Sequence, residues 1–503
     1  MGIKSTLTRP LAQWISASVE KSARNAIEMQ TYWRKKLVKQ AQNTQFGKDH
    51  GFDKIKTYAD FQSQIPIRDY EQMSAYIDKV RAGEEHVLWP GKPLYFAKTS
   101  GTTSGTKYIP ISKDSIGNHF NSARDAMMLY THHSGNTAYA DGKLIYLSGS
   151  PVLEKKNGIY TGRLSGIVNH HIPAWWKGNQ LPSYDINCIE DWEEKVERIA
   201  EESIGKDVRL VSGIPPWVQM YFDKLTEKTG KNIKQVFPNL SVMVHGGVNF
   251  EPYKAKLFNT IGGSIDTVET FPASEGFIAY QYRPNQTGML LNVNSGIFFE
   301  FVPMSEISSP NPKRYSLAEV ETGVNYAVII NSNAGLWGYN LGDTVRFSSL
   351  RPPLLTVTGR VKHYISAFGE HVIAEEVEQA LLSVAHEQGV NIIEFTVAPY
   401  IGQQGSEQSC HQWLIEFDEI PADLSRFALT VDAALQQKNV YYADLIKGKI
   451  LQPLVIIPLE AGAFRQYMKS VGKLGGQNKV PRLSNNRQIA DALLPYQISS
   501  THQ

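Results

Sequence analysis

The chain has 503 residues, of which 42% are hydrophobic and 20% are charged, a composition typical of a globular protein with several domains. Its 51 Lys and Arg against 49 Asp and Glu leave a formal charge of +2, which is too small to hold a polyanion such as nucleic acid. Two cysteines, Cys188 and Cys410, predict no disulfide framework, and the sequence has no apolar run long enough to span a membrane. We therefore expect a cytoplasmic protein whose partners are neither nucleic acid nor a membrane.

Periodic apolar residues predict the first elements of the chain. Three- and four-residue steps from Arg9 to Ala41 predict an amphipathic helix. Helical patterns also occur at Asp191–Glu202 and Pro216–Thr229. Apolar runs predict strands at Leu144–Leu147, Val208–Val211, Leu240–Val244, Ile297–Val302 and Tyr326–Ile330. Strands that alternate with helices indicate an α/β architecture.

After Gly359 the pattern predicts a smaller α+β unit with the order αββαβα. Its first helix carries Ile373, Val377, Leu381 and Val384 on one face and ends at Gly389. The elements that follow are strands at Ile392–Val397 and Trp413–Phe417, a helix at Leu424–Gln436, a strand near Leu454–Ile457 and a helix from Ala463. We therefore predict a large N-terminal domain at residues 1–359 and a small C-terminal domain at residues 360–503.

A loop rich in hydroxyl groups is the clearest chemical signal in the sequence. The nine residues from Thr99 to Lys107 contain six hydroxyls, two glycines and one lysine. Glycines let backbone N–H groups turn inward, hydroxyls donate to phosphate oxygens, and a lysine adds a point charge. The loop therefore predicts a phosphate site, with a flexible surface turn as the ordinary alternative. It does not match the P-loop pattern, because Thr106 stands where that pattern requires glycine.

This loop resembles the phosphate-binding loop of the adenylate-forming (ANL) superfamily. Within it, the sequence is most similar to the acyl acid amido synthetases that are named for auxin-responsive plant genes and have bacterial relatives. The resemblance implies an α/β fold in which β-sheets flanked by helices, together with a β-barrel, form the large domain, and a mobile α+β lid forms the small one. It also implies that Ser100, Thr102, Thr103 and Lys107 contact the phosphates of ATP.

Four further segments follow in the order that the superfamily requires. The resemblance places Gly246, Gly247 and Val248 in a wall of the adenine pocket and stacks Phe271 on adenine, while Glu275 holds Mg²⁺. Asp343 and Arg360 would bind the ribose, and Lys362 would be the hinge of the lid. Each has an ordinary alternative: Glu275 could be a helix-start glutamate, Asp343 a turn residue, and Arg360 and Lys362 surface charges. Pro272 and Asn340 depart from the family pattern and put the local backbone geometry in question.

The last match is Gln477–Arg482, which resembles the Q-x-K-[TV]-P-R ending of the amido synthetases. In that family its lysine, here Lys479, is the mobile cation of the lid. With Lys107 and Glu275 it completes the predicted catalytic set. No nucleophilic side chain is required, because adenylation needs positioning and cations where negative charge builds up.

The resemblance implies a ligase that uses ATP and Mg²⁺ to adenylate a small carboxylic acid and then transfers the acyl group to an amino acid. An acyl-CoA ligase is the enzymatic alternative, since it shares the first half-reaction. A non-catalytic adenylate-binding protein is the alternative from another class. The sequence leaves open which acid and which acceptor are used, which residues form the acyl pocket, and the oligomeric state.

Overall fold

The structure, a computed structural model, describes residues 2–100, 106–172, 178–307, 309–361, 364–365, 370, 372–401, 409–447, 451–475, 478–484 and 486–498. The α-helices of the N-terminal part are Ile3–Arg24, Ala26–Ala41, Gln45–Asp49, Tyr58–Gln64, Tyr70–Ala82, Ile116–Ser134, Leu164–Asn169, Tyr184–Asn187, Trp192–Ser203, Pro215–Thr229, Ile233–Val236 and Glu251–Ile261. Those that follow are Ala374–Glu387, Leu424–Lys438, Val440–Lys447, Ala463–Ser470 and Gln488–Leu493. Short 3₁₀ helices lie at Phe52–Lys54, Ala138–Asp141 and Leu494–Tyr496.

The strands are numbered in chain order. They are β1 Tyr95–Ser100, β2 Thr106–Ile111, β3 Lys143–Tyr146, β4 Glu154–Lys156, β5 Ile159–Gly162, β6 Gln180–Leu181, β7 Val208–Ser212, β8 Val242–Gly246, β9 Asp266–Ala273 and β10 Gly276–Gln281. They continue with β11 Met289–Leu291, β12 Ile297–Pro303, β13 Asn325–Ser332, β14 Tyr339–Leu350, β15 Pro353–Arg360, β16 Tyr364–Ile365, β17 Val372–Ile373, β18 Ile392–Tyr400, β19 Cys410–Phe417 and β20 Val455–Leu459. All five strands predicted before residue 359 therefore exist, with each end within two residues of its predicted position.

One large sheet organises the N-terminal part. Its strand order is β12-β13-β14-β15-β11-β10-β9-β8-β7-β3-β6. Strands β9, β8, β7, β3 and β6 pair in parallel, whereas β9 to β15 include antiparallel hairpins. Strands β10 to β15 form the antiparallel side of this sheet, and the β-barrel that the resemblance implies stays a prediction. The carboxyl ends of parallel strands are where α/β proteins place ligand sites.

The predicted first helix is two helices. The first begins at Ile3, six residues before the predicted start, and ends at Arg24, and the second runs from Ala26 to Ala41. Asn25 interrupts them with φ −107° and ψ 38°, and its side chain donates to the Lys21 carbonyl at 2.9 Å. Asparagine commonly ends a helix because its amide competes for backbone groups, so the break follows from local chemistry that apolar periodicity does not register.

The chain divides into two compact units. The first comprises residues 1–247 and 260–357, and the second comprises residues 248–259 and 358–503. The boundary near residue 358 lies two residues from the predicted one. Segment 248–259 is part of the second compact unit, and the predicted domain division at residue 359 stays a prediction.

The second unit is an α+β structure of the predicted kind. Its three-stranded sheet has the order β18-β19-β20, with an antiparallel and a parallel pairing. The helices Ala374–Glu387 and Leu424–Lys438 pack through Val377, Leu381 and Val431 into one buried cluster with Phe395 and Trp413 of the sheet. Two further helices, Val440–Lys447 and Gln488–Leu493, were absent from the predicted order.

Two global expectations can be compared with the structure. Cys188 and Cys410 both carry free thiols, as the cysteine count predicted. In the part of the chain that the structure describes, no helix combines the length and the apolar character that crossing a bilayer requires.

Candidate active site

The hydroxyl-rich loop closes a β-hairpin. Strands β1 and β2 are antiparallel, with Ser100 opposite Thr106 and Thr99 opposite Lys107. The loop between the strands, including Thr102 and Thr103, lies outside the described residues, and of Ser100 only the backbone is described. The hairpin therefore fixes where the predicted phosphate loop begins and ends.

Lys107 lies beside an aromatic ring that the sequence analysis did not select. Its Nζ is 5.5 Å from the centre of the Tyr70 ring, a cation–π distance. The Tyr70 hydroxyl in turn accepts a hydrogen bond from the Tyr108 backbone N–H at 2.9 Å. Tyr70 begins a helix whose capping box is formed by Asp69 and Gln72, so the ring is held by both the helix and strand β2. Lys107 is thereby positioned directly after the phosphate loop.

Glu275 occupies a tight turn and not the start of a helix. Strands β9 and β10 pair from Ala273 to Gly276, which leaves Ser274 and Glu275 as a two-residue turn. The Tyr339 hydroxyl donates to Oε1 of the half-exposed Glu275 at 3.3 Å. Burial, and then the Glu275 carboxylate, raise the pKa of Tyr339 well above its ordinary value. The hydroxyl therefore stays protonated and remains a donor that orients Glu275.

Tyr339 also links Glu275 to the Lys107 side of the site. Arg68, two residues before Tyr70, forms a parallel bridge with Tyr339: its N–H donates to the Gly338 carbonyl, and its carbonyl accepts from the Asn340 N–H, each at 2.8 Å. Strand β14 is thereby paired with the segment that leads into the helix start at Tyr70, whose ring Lys107 contacts. Sequence reasoning missed Tyr70 and assigned no role to Tyr339, although Tyr339 begins the segment Tyr339–Asp343, which resembles the Y-R-x-G-D motif of the superfamily.

Asp343 lies in a bulge of strand β14. Ala327 pairs with Thr344 and Ile329 with Asn340. Three residues of β14, at positions 341–343, therefore lie opposite the single residue Val328 of β13. Gly342 has φ +84° at this point, a value that favours glycine, and its N–H donates to Oδ1 of Asn340 at 2.9 Å. Asn340, which departs from the family motif, therefore stabilises the bulge through its side-chain oxygen. Bulges often redirect a side chain, and Asp343 is one of the residues within this bulge.

The predicted adenine wall begins where strand β8 ends. Gly246 pairs with Thr270 of the parallel strand β9, and Gly247 has φ +86°. The preceding His245 is buried, and burial lowers its pKa to about 4, so its ring is neutral at neutral pH. Phe271 is only 8% exposed and belongs to the large core, so only a small part of its ring is available to stack on a base.

Gly246 is required by close packing. A methyl group added there would lie 2.2 Å from the Thr270 carbonyl oxygen, which is backbone of the adjacent strand. We expect Gly246→Ala to lower the free energy of unfolding by about 1–3 kcal/mol, as overpacking does. Gly178→Ala is the matched control, because an added methyl there meets nothing within 4 Å. Denaturant midpoints of the two variants measure the difference, and equal midpoints would contradict the close-approach argument.

The remaining predicted residues fall into two groups. Val248, Arg360 and Lys479 belong to the second unit. Arg360 is exposed at the end of β15, after Gly359 with φ +152°, and Lys479 is exposed in segment 478–484. The predicted hinge, Lys362, lies outside the described residues.

The residues present fit a magnesium ion held jointly with phosphate. Among the residues that the structure describes, no three His, Cys, Asp or Glu side chains are grouped to hold a metal by themselves. Magnesium in nucleotide sites takes one or two carboxylates and completes its shell with phosphates and water. A half-exposed, oriented carboxylate such as Glu275 suits that arrangement.

Comparison with known families identifies the chain. The GH3 family N-terminal domain matches residues 15–265, the GH3 family central domain residues 290–360, and the GH3 family C-terminal domain residues 375–488. The chain belongs to the GH3 family. The recognition of the auxin-responsive amido synthetase family is confirmed.

Curated members of the GH3 family align with most of the chain. Indole-3-acetic acid-amido synthetase GH3.3 from Arabidopsis thaliana is 21% identical over 96% of this chain and 93% of its own length. Jasmonoyl--L-amino acid synthetase JAR4 from Nicotiana attenuata is 22% identical over 64% of this chain and 67% of its own length. These homologues are named as amide-forming ligases, in agreement with the predicted reaction class.

Solved structures support the same fold. The GH3.15 acyl acid amido synthetase superposes with a TM-score of 0.79 at 16% identity, covering 96% of both chains. A 2-hydroxyisobutyryl-CoA ligase in its postadenylation state superposes with a TM-score of 0.56 at 12% identity, covering 95% of this chain and 90% of its own. The predicted adenylate-forming architecture, with a large N-terminal part and a smaller C-terminal part, is therefore confirmed.

Proposed function

We propose that this GH3 protein is an ATP-dependent acyl acid amido synthetase. It adenylates a small carboxylic acid with release of pyrophosphate and transfers the acyl group to the amine of an amino acid. Two contacts carry the proposal: Lys107 lies against the Tyr70 ring directly after the predicted phosphate loop, and Tyr339 orients Glu275 in its hairpin turn. The bridge between Arg68 and Tyr339 links the two pairs through the backbone. The family match along the chain supports the same assignment.

The first half-reaction needs charge compensation more than covalent chemistry. The carboxylate of the acid attacks the α-phosphorus of ATP in line, and negative charge builds on the phosphate oxygens. Lys107 supplies positive charge at that place, while Ser100, Thr102 and Thr103 donate hydrogen bonds. Glu275 would hold a Mg²⁺, which would supply Lewis-acid stabilisation of the negative charge on the phosphates. Lys479 supplies the second cation.

The nucleoside of ATP would be held by separate groups. Gly246, Gly247 and Val248 form the adenine wall, with Phe271 contributing the exposed part of its ring. Asp343 accepts hydrogen bonds from the ribose hydroxyls, and Arg360 reaches the ribose. We assign the nucleotide and acid sites to the predicted domain 1–359, the mobile lid to residues 360–503, and the hinge between them to Lys362.

An aromatic cluster beside the loop hairpin suits the acid. The Phe120 and His171 rings stack with centroids 5.8 Å apart and planes within 12°, and Nε2 of His171 is 3.0 Å from the Tyr95 hydroxyl. All three side chains are half-exposed, and Tyr95 begins strand β1, which leads into the loop. Flat, partly polar surfaces of this kind bind aromatic rings well. We assign these residues to the acyl pocket and expect aromatic acids to be better substrates than short aliphatic ones.

The substrates follow from this assignment. They are ATP with Mg²⁺, a carboxylic acid and an amino acid, with no nucleic acid or membrane needed for the reaction. The low cysteine content and the free thiols at Cys188 and Cys410 suit a reducing, cytoplasmic compartment.

Isotope exchange tests the first half-reaction. Purified protein is incubated with ATP, Mg²⁺, labelled pyrophosphate and a panel of aromatic and aliphatic acids, without amine or CoA. We expect label to enter ATP only when an accepted acid is present. Nucleotide binding is measured in parallel by calorimetry. Protein that is folded and binds ATP, yet exchanges with no acid of the panel, would contradict the proposed function.

The acceptor separates the two enzymatic alternatives. The alternative to an amido synthetase is an acyl-CoA ligase, because a CoA ligase shares this fold. Preformed acyl-adenylate is mixed with each amino acid and, separately, with CoA, and the release of AMP is followed. We expect at least one amino acid to accelerate release and CoA to leave it unchanged. Rapid thioester formation with indifference to every amino acid would assign the protein to the acyl-CoA ligases.

A further inference from the structure

Arg482 lies at the centre of a buried charged cluster in the second unit. Its side chain is 9% exposed, and its Nε donates to Oε1 of Glu378 at 3.0 Å. One terminal nitrogen donates to Glu394 and to the Phe395 carbonyl, and its guanidinium carbon lies 4.5 Å from the centre of the Phe395 ring. One guanidinium therefore engages two carboxylates and a backbone oxygen.

The same cluster holds the segment that follows the adenine wall. The other terminal nitrogen of Arg482 donates to the Tyr253 hydroxyl at 2.7 Å, and that hydroxyl donates to Oε2 of Glu394 at 2.8 Å. The Asn249 amide donates to Oε2 of Glu378 at 2.7 Å. Asn249 and Tyr253 stand two and six residues after Gly247, in the segment 248–259 that belongs to the second unit.

Arg482 also anchors the segment that carries Lys479. The Val397 N–H donates to the Arg482 carbonyl at 2.9 Å, and the Thr396 hydroxyl donates to the Pro481 carbonyl at 2.7 Å. Lys479 lies three positions before Arg482, a path of about 10 Å when extended. The location of Lys479 is therefore restrained by the bonds at Pro481 and Arg482.

Buried ion clusters of this kind add little net stability, because desolvation offsets the attraction between the charges. What they provide is fixed geometry, and a guanidinium with five donors in one plane is well suited to it. In this cluster the hydrogen bonds of Arg482 fix segment 478–484 relative to segment 248–259.

We propose that Arg482 is a positioning residue for adenylation, which holds the Lys479 segment in a fixed relation to the chain that follows the adenine wall. The proposal rests on the proposed function and adds a role that the charge of Lys479 alone does not supply. Because a displacement of about 1 Å at a catalytic group reduces rate by about 10²-fold, loosening this cluster affects the step that uses Lys479. Transfer from preformed acyl-adenylate does not use Lys479 in this scheme and should be nearly unaffected.

Four variants separate positioning from a general structural role. Arg482→Gln removes the positive charge and the planar guanidinium donors, whereas Arg482→Lys keeps the charge without those donors. Asn249→Ala and Tyr253→Phe act from the side of segment 248–259 and leave the backbone bonds of Pro481 and Arg482 intact, so they remain informative if the arginine variants unfold. Arg426→Gln and Tyr467→Phe are the matched controls, since neither residue takes part in the cluster.

We expect kcat for exchange to fall about 10–10²-fold in Arg482→Gln and about tenfold in the other three, with KM for ATP unchanged. Transfer from preformed adenylate should stay within about twofold. An equal loss in both half-reactions, full activity in Arg482→Lys, or a raised KM at constant kcat would overturn the proposal.

If the parent protein shows no ATP–pyrophosphate exchange, the proposed function fails. Amide hydrogen exchange in segment 478–484 then tests the positioning role. That role requires the amides of this segment to exchange faster in Asn249→Ala and Tyr253→Phe than in the control variants.

Discussion

Replacing Lys479 with alanine is expected to lower acid-dependent ATP–pyrophosphate exchange by about 10²–10³-fold, the effect of losing one preorganised charge-stabilising group. Lys479 is exposed and lies in a segment held by backbone hydrogen bonds, which places a single ammonium group on a restrained support. In the proposed mechanism this charge acts where the carboxylate and the α-phosphate meet. The same proposal assigns the adenosine and the other phosphates to other residues, so ATP affinity should change much less than turnover.

The measurement compares exchange turnover with the dissociation constant for ATP in the same preparations. Lys473→Ala is the control, because Lys473 is an exposed lysine of the same unit with no assigned role. Turnover within about tenfold of the parent, less than the loss of such a group implies, would remove Lys479 from the catalytic set. A parallel loss of ATP affinity would assign it to nucleotide binding instead.

Much of the fold follows from local patterns that the sequence makes visible. The strands Val208–Ser212 and Ile297–Pro303 and the helix Pro215–Thr229 were predicted to within two residues, because apolar runs and turn residues mark them directly. The break at Asn25 was not predicted, since the apolar spacing continues through it. The helix Val440–Lys447 was also missed, because only one residue separates it from the preceding helix.

The site was predicted unevenly for a physical reason. Asp343 and Glu275 were selected because short motifs contain them, yet the bulge and the turn in which they lie depend on strand pairing. The bulge at Gly342 arises where β13 and β14 change register, and the turn at Glu275 arises from the pairing of β9 with β10. A register is a property of two strands, so no single segment of sequence specifies it.

Contacts between distant residues were beyond sequence reasoning. Tyr339 and Glu275 are 64 positions apart, and Arg482 and Tyr253 are 229 positions apart. Nothing in the local sequence of Tyr253 indicates that it joins the second unit. The assignment of segment 248–259 to that unit reflects tertiary packing, which overrides the order of the chain.

Glu275→Gln is expected to lower acid-dependent ATP–pyrophosphate exchange by about 10²–10³-fold at fixed Mg²⁺, because the proposed site then loses one charged group at the phosphates. Glutamine has the same shape, and its amide oxygen can still accept the hydrogen bond that the Tyr339 hydroxyl gives to Glu275. The turn between β9 and β10 should therefore be preserved, and unfolding midpoints should match the parent. Glu227→Gln, at an exposed carboxylate of the helix Pro215–Thr229, is the control.

Titration with Mg²⁺ decides how Glu275 acts. If its carboxylate is a metal ligand, the Mg²⁺ concentration for half-maximal exchange should rise in Glu275→Gln by at least about 10–100-fold, the range known for groups that only support a ligand. Tyr339→Phe removes the orienting donor and keeps the charge, so it should give a smaller shift in the same direction. A slow Glu275→Gln enzyme with the parent's Mg²⁺ dependence would mean that the carboxylate acts on substrate directly. In that case Tyr339 would orient a group that contacts the acid or the nucleotide, and the metal would depend on phosphate alone.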